Sequence, residues 1–208
     1  YCEIHPYNIS KKQIENFSPK ALILSGGPAS TTIKKPLKPD TSIYSLNIPI
    51  LGICYGHQLI CKYLGGNVIN SKKREFGKAF IKIKKNSKIF EGIYKKDNKY
   101  QVWMSHGDKV SKLPKSFSVI ASTINAKFAA IANEHKRIYG LQFHPEVIHT
   151  LNGERILENF TKKISSCKSN WKISDFIKNS LVKIKEEVKN HNVICALSGG
   201  VDSSVTAA

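Results

Sequence analysis

The sequence has little that would staple, anchor or export it. Its 208 residues hold five cysteines, at positions 2, 54, 61, 167 and 195, an odd number with no C-x-x-C pair. That spacing argues against a disulfide framework or a zinc ribbon and fits a reducing cytosol. No window offers the ~18 uninterrupted apolar residues of a membrane span, and no basic-then-apolar leader opens the chain. The expectation is a soluble, cytoplasmic protein without a membrane partner. Acidic residues are scarce, 15 Asp+Glu against 33 Lys+Arg, for a formal charge of +18. Such an excess invites a nucleic-acid reading. The lysines argue against it, because they come singly or in small groups (Lys11-Lys12, Lys34-Lys35, Lys72-Lys73-Arg74, Lys84-Lys85, Lys95-Lys96) with no dense block, the pattern of a solvated surface.

What is present is ordinary globular composition, 41% hydrophobic and 23% charged, which excludes wholesale disorder and fibrous classes. The length allows one full domain and part of another. Short β-rich runs alternate with helical stretches, the pattern of an α/β domain with a mainly parallel sheet. Strands are expected at Ala21-Leu24, Ile48-Ile53, Phe80-Ile83, Val102-Met104, Val119-Ala121, Ile138-Phe143 and Val193-Leu197. Helices are expected at Lys11-Asn16, Tyr55-Leu64, Glu154-Ile164 and Asp175-Val188, the last with Phe176, Ile177, Leu181, Ile184 and Val188 at near-helical spacing. The polar run 165–170 predicts a boundary before Trp171 opens a second amphipathic stretch, giving domains 1–167 and 168–208. The second is too short to bury a core, and Tyr1 opens without methionine in what reads as a strand, so truncation is expected at both ends.

The most informative segment runs from Ile48 through Gly52, Cys54 and Gly56 to Gln58: an apolar strand, a cysteine flanked by glycines, then a helix. A nucleophile on a sharp strand-to-helix turn needs small neighbours so that the backbone can bend. Its sulfur then sits at a helix N-terminus, where thiolate is favoured and backbone N–H groups can receive an oxyanion. Cys61 and Cys195 read as core residues. Two histidines have a carboxylate two residues on, His106 with Asp108 and His144 with Glu146. Either could serve Cys54 as base. His144 has the better fixed geometry, since it follows an apolar strand and Pro145 stiffens its link to Glu146. His5, His57, His135, His149 and His191 read as surface or satisfied groups.

Two Ser-Gly-Gly turns follow expected strands. The turn of Ser25, Gly26, Gly27 and Pro28 suits a carbonyl or developing oxyanion. The loop Ser198, Gly199, Gly200, Val201, Asp202, Ser203, Ser204 leads into a helix and suits phosphate, although it lacks the Gly-Lys-Ser/Thr ending of a P-loop.

The Gly52–Gln58 elbow with Gln142-Phe143-His144-Pro145-Glu146 resembles the class I, or triad, glutamine amidotransferases. Arg74-Glu75-Phe76-Gly77, the run Val102–Val110 and Phe143–Val147 are similar to the branch found in GMP synthases, the glutamine-hydrolysing ligases that aminate XMP. The 198–204 loop resembles the pyrophosphate loop of their ATP pyrophosphatase domain. The resemblance implies a flavodoxin-like, mainly parallel fold for the first domain. For the second it implies the first helix and strand of an adenine nucleotide alpha hydrolase-like (PP-loop) domain. It also selects His144 over His106, giving Cys54 as nucleophile, His144 as base and Glu146 as its orienting partner. It implies an oxyanion hole at the N–H groups of Gly27 and Tyr55, next to Gly26, and a glutamine site using Gln58, Ser105, His106, Gly107 and Asp108. It implies ATP bound at Ser198–Ser204, with XMP and Mg²⁺ in the synthetase half, no cofactor or metal in the glutaminase half, and a full-length homodimer. Amidotransferase parts of anthranilate, carbamoyl phosphate or CTP synthesis are the nearest rivals, but they lack such a following loop. A basic binding module would leave the Cys-His-Glu set unexplained.

Overall fold

The structure, a computed structural model, describes residues 1–170 and 172–208; Trp171 and the side chains of Lys72 and Lys73 lie outside the described residues. The opening of the second amphipathic stretch at Trp171 and the Lys72-Lys73 pair therefore fall outside it as well. Two compact units are present, Cys2–Cys167 and Lys168–Ala208, the latter grouped with Tyr1.

The first unit holds helix α1 (Lys11–Phe17), strands β1 (Leu22–Leu24) and β2 (Ile50–Ile53), helix α2 (Tyr55–Tyr63), strands β3 (Asn67–Ile83), β4 (Lys99–Lys112), β5 (Ser118–Ser122), β6 (Ala130–Asn133) and β7 (Ile138–Leu141), and helix α3 (Gly153–Glu158). The strands form one seven-stranded sheet in the order β1-β2-β7-β6-β5-β3-β4. Only β1 with β2 and β2 with β7 pair in parallel; β7 with β6, β6 with β5, β5 with β3 and β3 with β4 are antiparallel. The sheet is thus mixed, not mainly parallel. The cause lies in the connections. Residues 134–137 alone join β6 to β7, and parallel neighbours need a crossover of a dozen residues or more.

The parallel part is the part that carries the site. Strand β2 is buried along its whole length, with Leu51 and Ile53 facing a large core that includes Phe90, Tyr139, Phe143, Ile156 and Phe160. Ile50 faces the other side, where Ile60 of α2 and Ile138 close a second cluster. Burial on both faces explains why β2 reads as a continuous apolar run. Helix α2 lies unusually close to the sheet because glycines meet there. A Cβ on Gly52 would come within 2.5 Å of the Gly56 backbone, and one on Gly56 within 2.0 Å of the Leu24 carbonyl oxygen. On β7, a Cβ at Gly140 would meet Nδ1 of His57 at 2.3 Å.

Other expectations need correction. The segment expected as the helix Glu154–Ile164 is α3 followed by a π-helical turn at Asn159–Ile164, where the Asn159 amide donates to the carbonyls of Ile89 and Glu91. Strand β6 lies outside the expected strands, since Ala130-Ile131-Ala132-Asn133 is short and alanine-rich. Tyr1–Pro6 forms no strand. Nor does Val193–Leu197, and Cys195 within it is exposed rather than core. A strand needs a neighbouring ladder. Within the second unit the regular elements are helices α4 (Ile173–Val188) and α5 (Val201–Ala207), so Val193–Leu197 finds no partner there.

The glycine contacts set a test of packing. Gly56→Ala should cost about 3 kcal/mol or more, the upper range for overpacking against a backbone that cannot move aside. Gly27→Ala should leave stability unchanged, because nothing lies within 4 Å of its added methyl. Urea unfolding midpoints of the two variants check this, and equal midpoints would contradict the packing.

Candidate active site

Strand β2 ends at Ile53, and α2 begins at Tyr55. Cys54 is the single residue between them. Its φ of 50° and ψ of −100° are unusual for a residue with a side chain. The conformation is held from both sides: the Cys54 N–H donates to the Leu141 carbonyl at 2.7 Å, and its carbonyl accepts from the Gln58 N–H at 3.2 Å. The thiol faces the Ser105 carbonyl at 3.4 Å, and the Gln142 amide donates toward the sulfur at 3.7 Å.

His144 follows β7 after Gln142 and Phe143. Its N–H donates to the Trp103 carbonyl at 3.0 Å, and the Thr150 hydroxyl bridges the Trp103 N–H and the His144 carbonyl. Nδ1 lies 2.6 Å from Oε1 of Glu146. Nε2 is buried without an ordinary hydrogen bond, and Cys54 is the group acting on it most strongly, ahead of Glu146; together they raise His144 from its usual 6.5 to about 10 against the opposing effect of burial. For Glu146, burial works upward, but the His144 bond and charge outweigh it and hold the carboxyl below the usual range. The Ser25-to-Pro28 turn closes over this pair. A Cβ on Gly26 would stand 3.0 Å from Cε1 of His144 and 3.5 Å from Cβ of Cys54.

Above the cysteine opens a cavity of about 550 Å³ lined by Gly27, Tyr55, Gln58, the Ser105–Asp108 run and His144, together with Arg74 and Phe76. That volume lies in the range of small-molecule sites. Tyr55 is the first helical residue, so its N–H has no intrahelical acceptor. The Gln58 amide donates to the Asp108 carbonyl at 3.0 Å and to Oε1 of Gln142 at 3.3 Å, which ties α2 to β4. The Asp108 carboxylate accepts from the Ser30 hydroxyl and, at 3.1 Å, from the Asn70 amide.

The expected residues of the first unit line one cavity except Gly26 and Glu146, which stand against His144, and Cys54 acts on His144 rather than on His106. His106 is turned away, its Nε2 3.2 Å from Glu75. No role was read from sequence for Gln142 and Thr150, which meet the Cys54 sulfur and the His144 backbone carbonyl, or for Glu75, Asn70 and Ser30, which brace His106 and Asp108. Their signal was weak, because amides, hydroxyls and a lone carboxylate have no diagnostic spacing. His57 is also not the surface group expected: it is fully buried, and among the described residues its ring makes no well-formed hydrogen bond, the Phe128 backbone being the polar group that acts on it.

The loop Ser198–Ser204 belongs to the second unit. Gly199 has φ +80°, and Gly200 caps α5. The hydroxyls of Ser198 and Ser203 lie 3.0 Å apart, and Ser203 donates to the Gly200 carbonyl at 3.1 Å. Val201, Asp202 and Ser204 are exposed.

The His144–Glu146 pair sets a pH window. A raised histidine stabilises the fold fully below its unfolded value of ~6.5 and loses that contribution as pH climbs through the folded value. A lowered carboxyl contributes above ~4.3 and fails as pH falls. An NMR titration of the His144 ring should thus find a midpoint well above 6.5, moving down in Glu146→Gln. A midpoint unmoved by that change would show that Glu146 does not act on the ring.

Comparison with known proteins identifies relatives of the chain. The family model for class-I glutamine amidotransferases matches residues 1–164. The GMP synthase [glutamine-hydrolyzing] of Bartonella henselae is 47% identical over 207 residues, covering 100% of this chain and 40% of that protein. The protein of the same name from Agrobacterium fabrum is 48% identical over 207 residues, covering 100% of this chain and 39% of that protein. The chain thus spans about 40% of the length of the curated relatives it matches. Among solved structures, a putative GMP synthase subunit from Thermoplasma acidophilum superposes with a TM-score of 0.67 at 31% identity, covering 79% of this chain and 80% of that one. With the cysteine elbow, the histidine–carboxylate pair and this match along its first unit, the chain belongs to the class-I glutamine amidotransferase family.

Proposed function

We propose that the chain is the glutamine-hydrolysing part of a GMP synthase and supplies ammonia for the ATP-dependent amination of XMP. The observation that carries the reading is Cys54, strained at the end of β2, facing a His144 whose other nitrogen is bonded to Glu146. The family supports glutamine as substrate, and the names of the relatives support the GMP branch.

Each residue has a task in this reading. Glutamine enters the cavity with its amide over Cys54, and its α-ammonium meets the Asp108 carboxylate. With the proton already on His144, whose raised value keeps the ring charged at neutral pH, Cys54 attacks as the thiolate and its sulfur bonds to the amide carbon. The oxygen, now an oxyanion, lies within reach of the N–H groups of Gly27 and Tyr55. His144 returns the proton to nitrogen as the C–N bond breaks and ammonia leaves. Water then gives a proton to His144 and attacks the thioester, the C–S bond breaks, and glutamate departs. Glu146 holds the ring so that Nε2 faces sulfur throughout and stabilises its charged form.

The second unit is read by the same likeness as the start of a PP-loop synthetase domain. Ser198, Gly199, Gly200, Val201, Asp202, Ser203 and Ser204 would cradle the pyrophosphate of ATP, with XMP bound nearby in the remainder of a homodimeric, cytoplasmic full-length product. Their hydroxyl and carboxylate oxygens are the donors that Mg²⁺ takes, so Asp202 would meet an ion held mainly by the phosphates, whose charge that ion neutralises.

Cys54→Ala in the full-length product should abolish glutamine-dependent GMP formation and spare the ammonia-dependent reaction. Equal loss with both nitrogen donors would contradict the division of labour. His144→Ala should slow glutamate release by ~10²–10⁴-fold. A change of Gly199 or Gly200 to valine should eliminate synthesis with either donor while leaving basal glutaminase, because a branched side chain blocks the backbone approach to phosphate. Full ammonia-dependent synthesis in such a variant, at saturating ATP and XMP, would remove the loop from the phosphate site.

A further inference from the structure

Behind the Ser105–Asp108 rim lies a pair that the chemistry above does not use. Glu75 of β3 stands opposite His106 of β4, just past an irregularity in the ladder between Asn70 and Glu75. Both side chains are withdrawn from water, His106 at 2% and Glu75 at 10% exposure. Nδ1 of His106 lies 3.0 Å from the Asp108 carbonyl, and Nε2 lies 3.2 Å from Oε2 of Glu75.

The hydrogen count follows from the partners. A backbone carbonyl only accepts, so Nδ1 must carry a hydrogen. A bare Nε2 would then set its lone pair against those of the carboxylate. A second hydrogen therefore lies between Nε2 and Oε2. The surroundings favour a charged carboxylate in that pair: burial opposes it, but bonds from His106 and Thr123, the His106 charge and the Asn125 amide outweigh burial and hold Glu75 below the usual carboxylate range. Thr123 donates to Glu75 at 3.1 Å and Asn125 at 3.4 Å.

The pair is also joined to the pocket. The carbonyl of Asp108 that receives Nδ1 also receives Gln58, and the carbonyl of Ser105, one residue before His106, receives the Cys54 thiol. Other charged or titratable groups near the ring are the Asp108 carboxylate, already engaged by Ser30 and Asn70, Arg74 alongside Gly107, and the buried, neutral His57 of α2. In the turn that supplies Thr123 and Asn125, Lys127 reaches over the Phe128 ring instead.

We propose that Glu75 and His106 form a buried, proton-sharing pair that positions the Ser105–Asp108 rim, so that the pocket holds glutamine well only while the pair keeps its shared proton. His106 is then a positioning residue, with both nitrogens engaged away from substrate. The inference rests on glutamine being the occupant of this pocket. Loss of the shared proton leaves a buried nitrogen facing a carboxylate with nothing between them, and the rim must shift to separate them.

The test uses the full-length product and compares wild type with Glu75→Gln and Glu75→Leu. Glutamate release is followed across neutral and alkaline pH, with KM and kcat separated. In the wild type, KM should rise toward alkaline pH. In Glu75→Gln that rise should disappear, because the isosteric amide can turn its N–H toward a neutral Nε2. In Glu75→Leu, KM should be raised roughly tenfold or more at every pH, the scale of an unpaired buried polar group, with a smaller effect on kcat. Limbs due to Cys54, His144 or free glutamine are common to wild type and Glu75→Gln and cancel in the comparison. An alkaline rise in Glu75→Gln equal to that of the wild type would overturn the pair while leaving the glutaminase intact. Absence of glutamate release from the wild type would instead overturn the function. A nitrogen-15 spectrum of the folded protein decides independently of turnover: two N–H groups on the His106 ring are expected, and a single one would overturn the proposal.

Discussion

Everything at the candidate site depends on one backbone turn that cannot relax. Cys54 is held at positive φ because Gly52 and Gly56 let α2 return across β2 at a distance that no side chain permits. The cost is offset by the buried strand beneath, whose Leu51 and Ile53 belong to the main core. The strain has a use. It lifts the sulfur out of the sheet, where the Ser105 carbonyl, the Gln142 amide and the His144 ring converge on it from three separate segments. A relaxed cysteine at the same position in sequence would continue the strand and set its side chain on one face of the sheet.

The same turn explains why the mixed sheet works as well as the parallel one that the pattern suggested. Only β1, β2 and β7 need to run together, since their ends supply the Gly26-Gly27 turn, Cys54 and His144. The antiparallel strands are support. Through β3 and β4 they bring the Ser105–Asp108 rim up beside the elbow.

What could be read in the sequence were the features with a mechanical spacing. Glycines two residues either side of Cys54 announce a tight turn, and His144-Pro145-Glu146 places a carboxylate beside an imidazole. Strands β2 and β7 are apolar runs that declare themselves. Strand β6 is hidden, because Ala130 and Ala132 are placed by burial and by pairing with β5 and β7 rather than by any intrinsic preference. Val193–Leu197 fails in the opposite sense: its residues favour a strand, but pairing is a tertiary property, and the described residues of the second unit offer no ladder. The roles of Glu75, Gln142 and Thr150 were not legible because their partners lie 31, 88 and 47 residues away along the chain. No local pattern encodes such pairs.

The buried ring of His57 has a consequence of another kind. Packed against Gly140 and kept neutral by burial and by the charge of His106, it binds a proton only near pH 3. An unfolded chain takes up that proton near ~6.5. Between those values the unfolded state holds one proton more than the native one, and acidification draws the equilibrium toward unfolding by at most about 1.4 kcal/mol per pH unit. Mild acid therefore works against this domain through a side chain that substrate never touches. The close fit of helix to sheet that serves catalysis at neutral pH becomes a liability in acid.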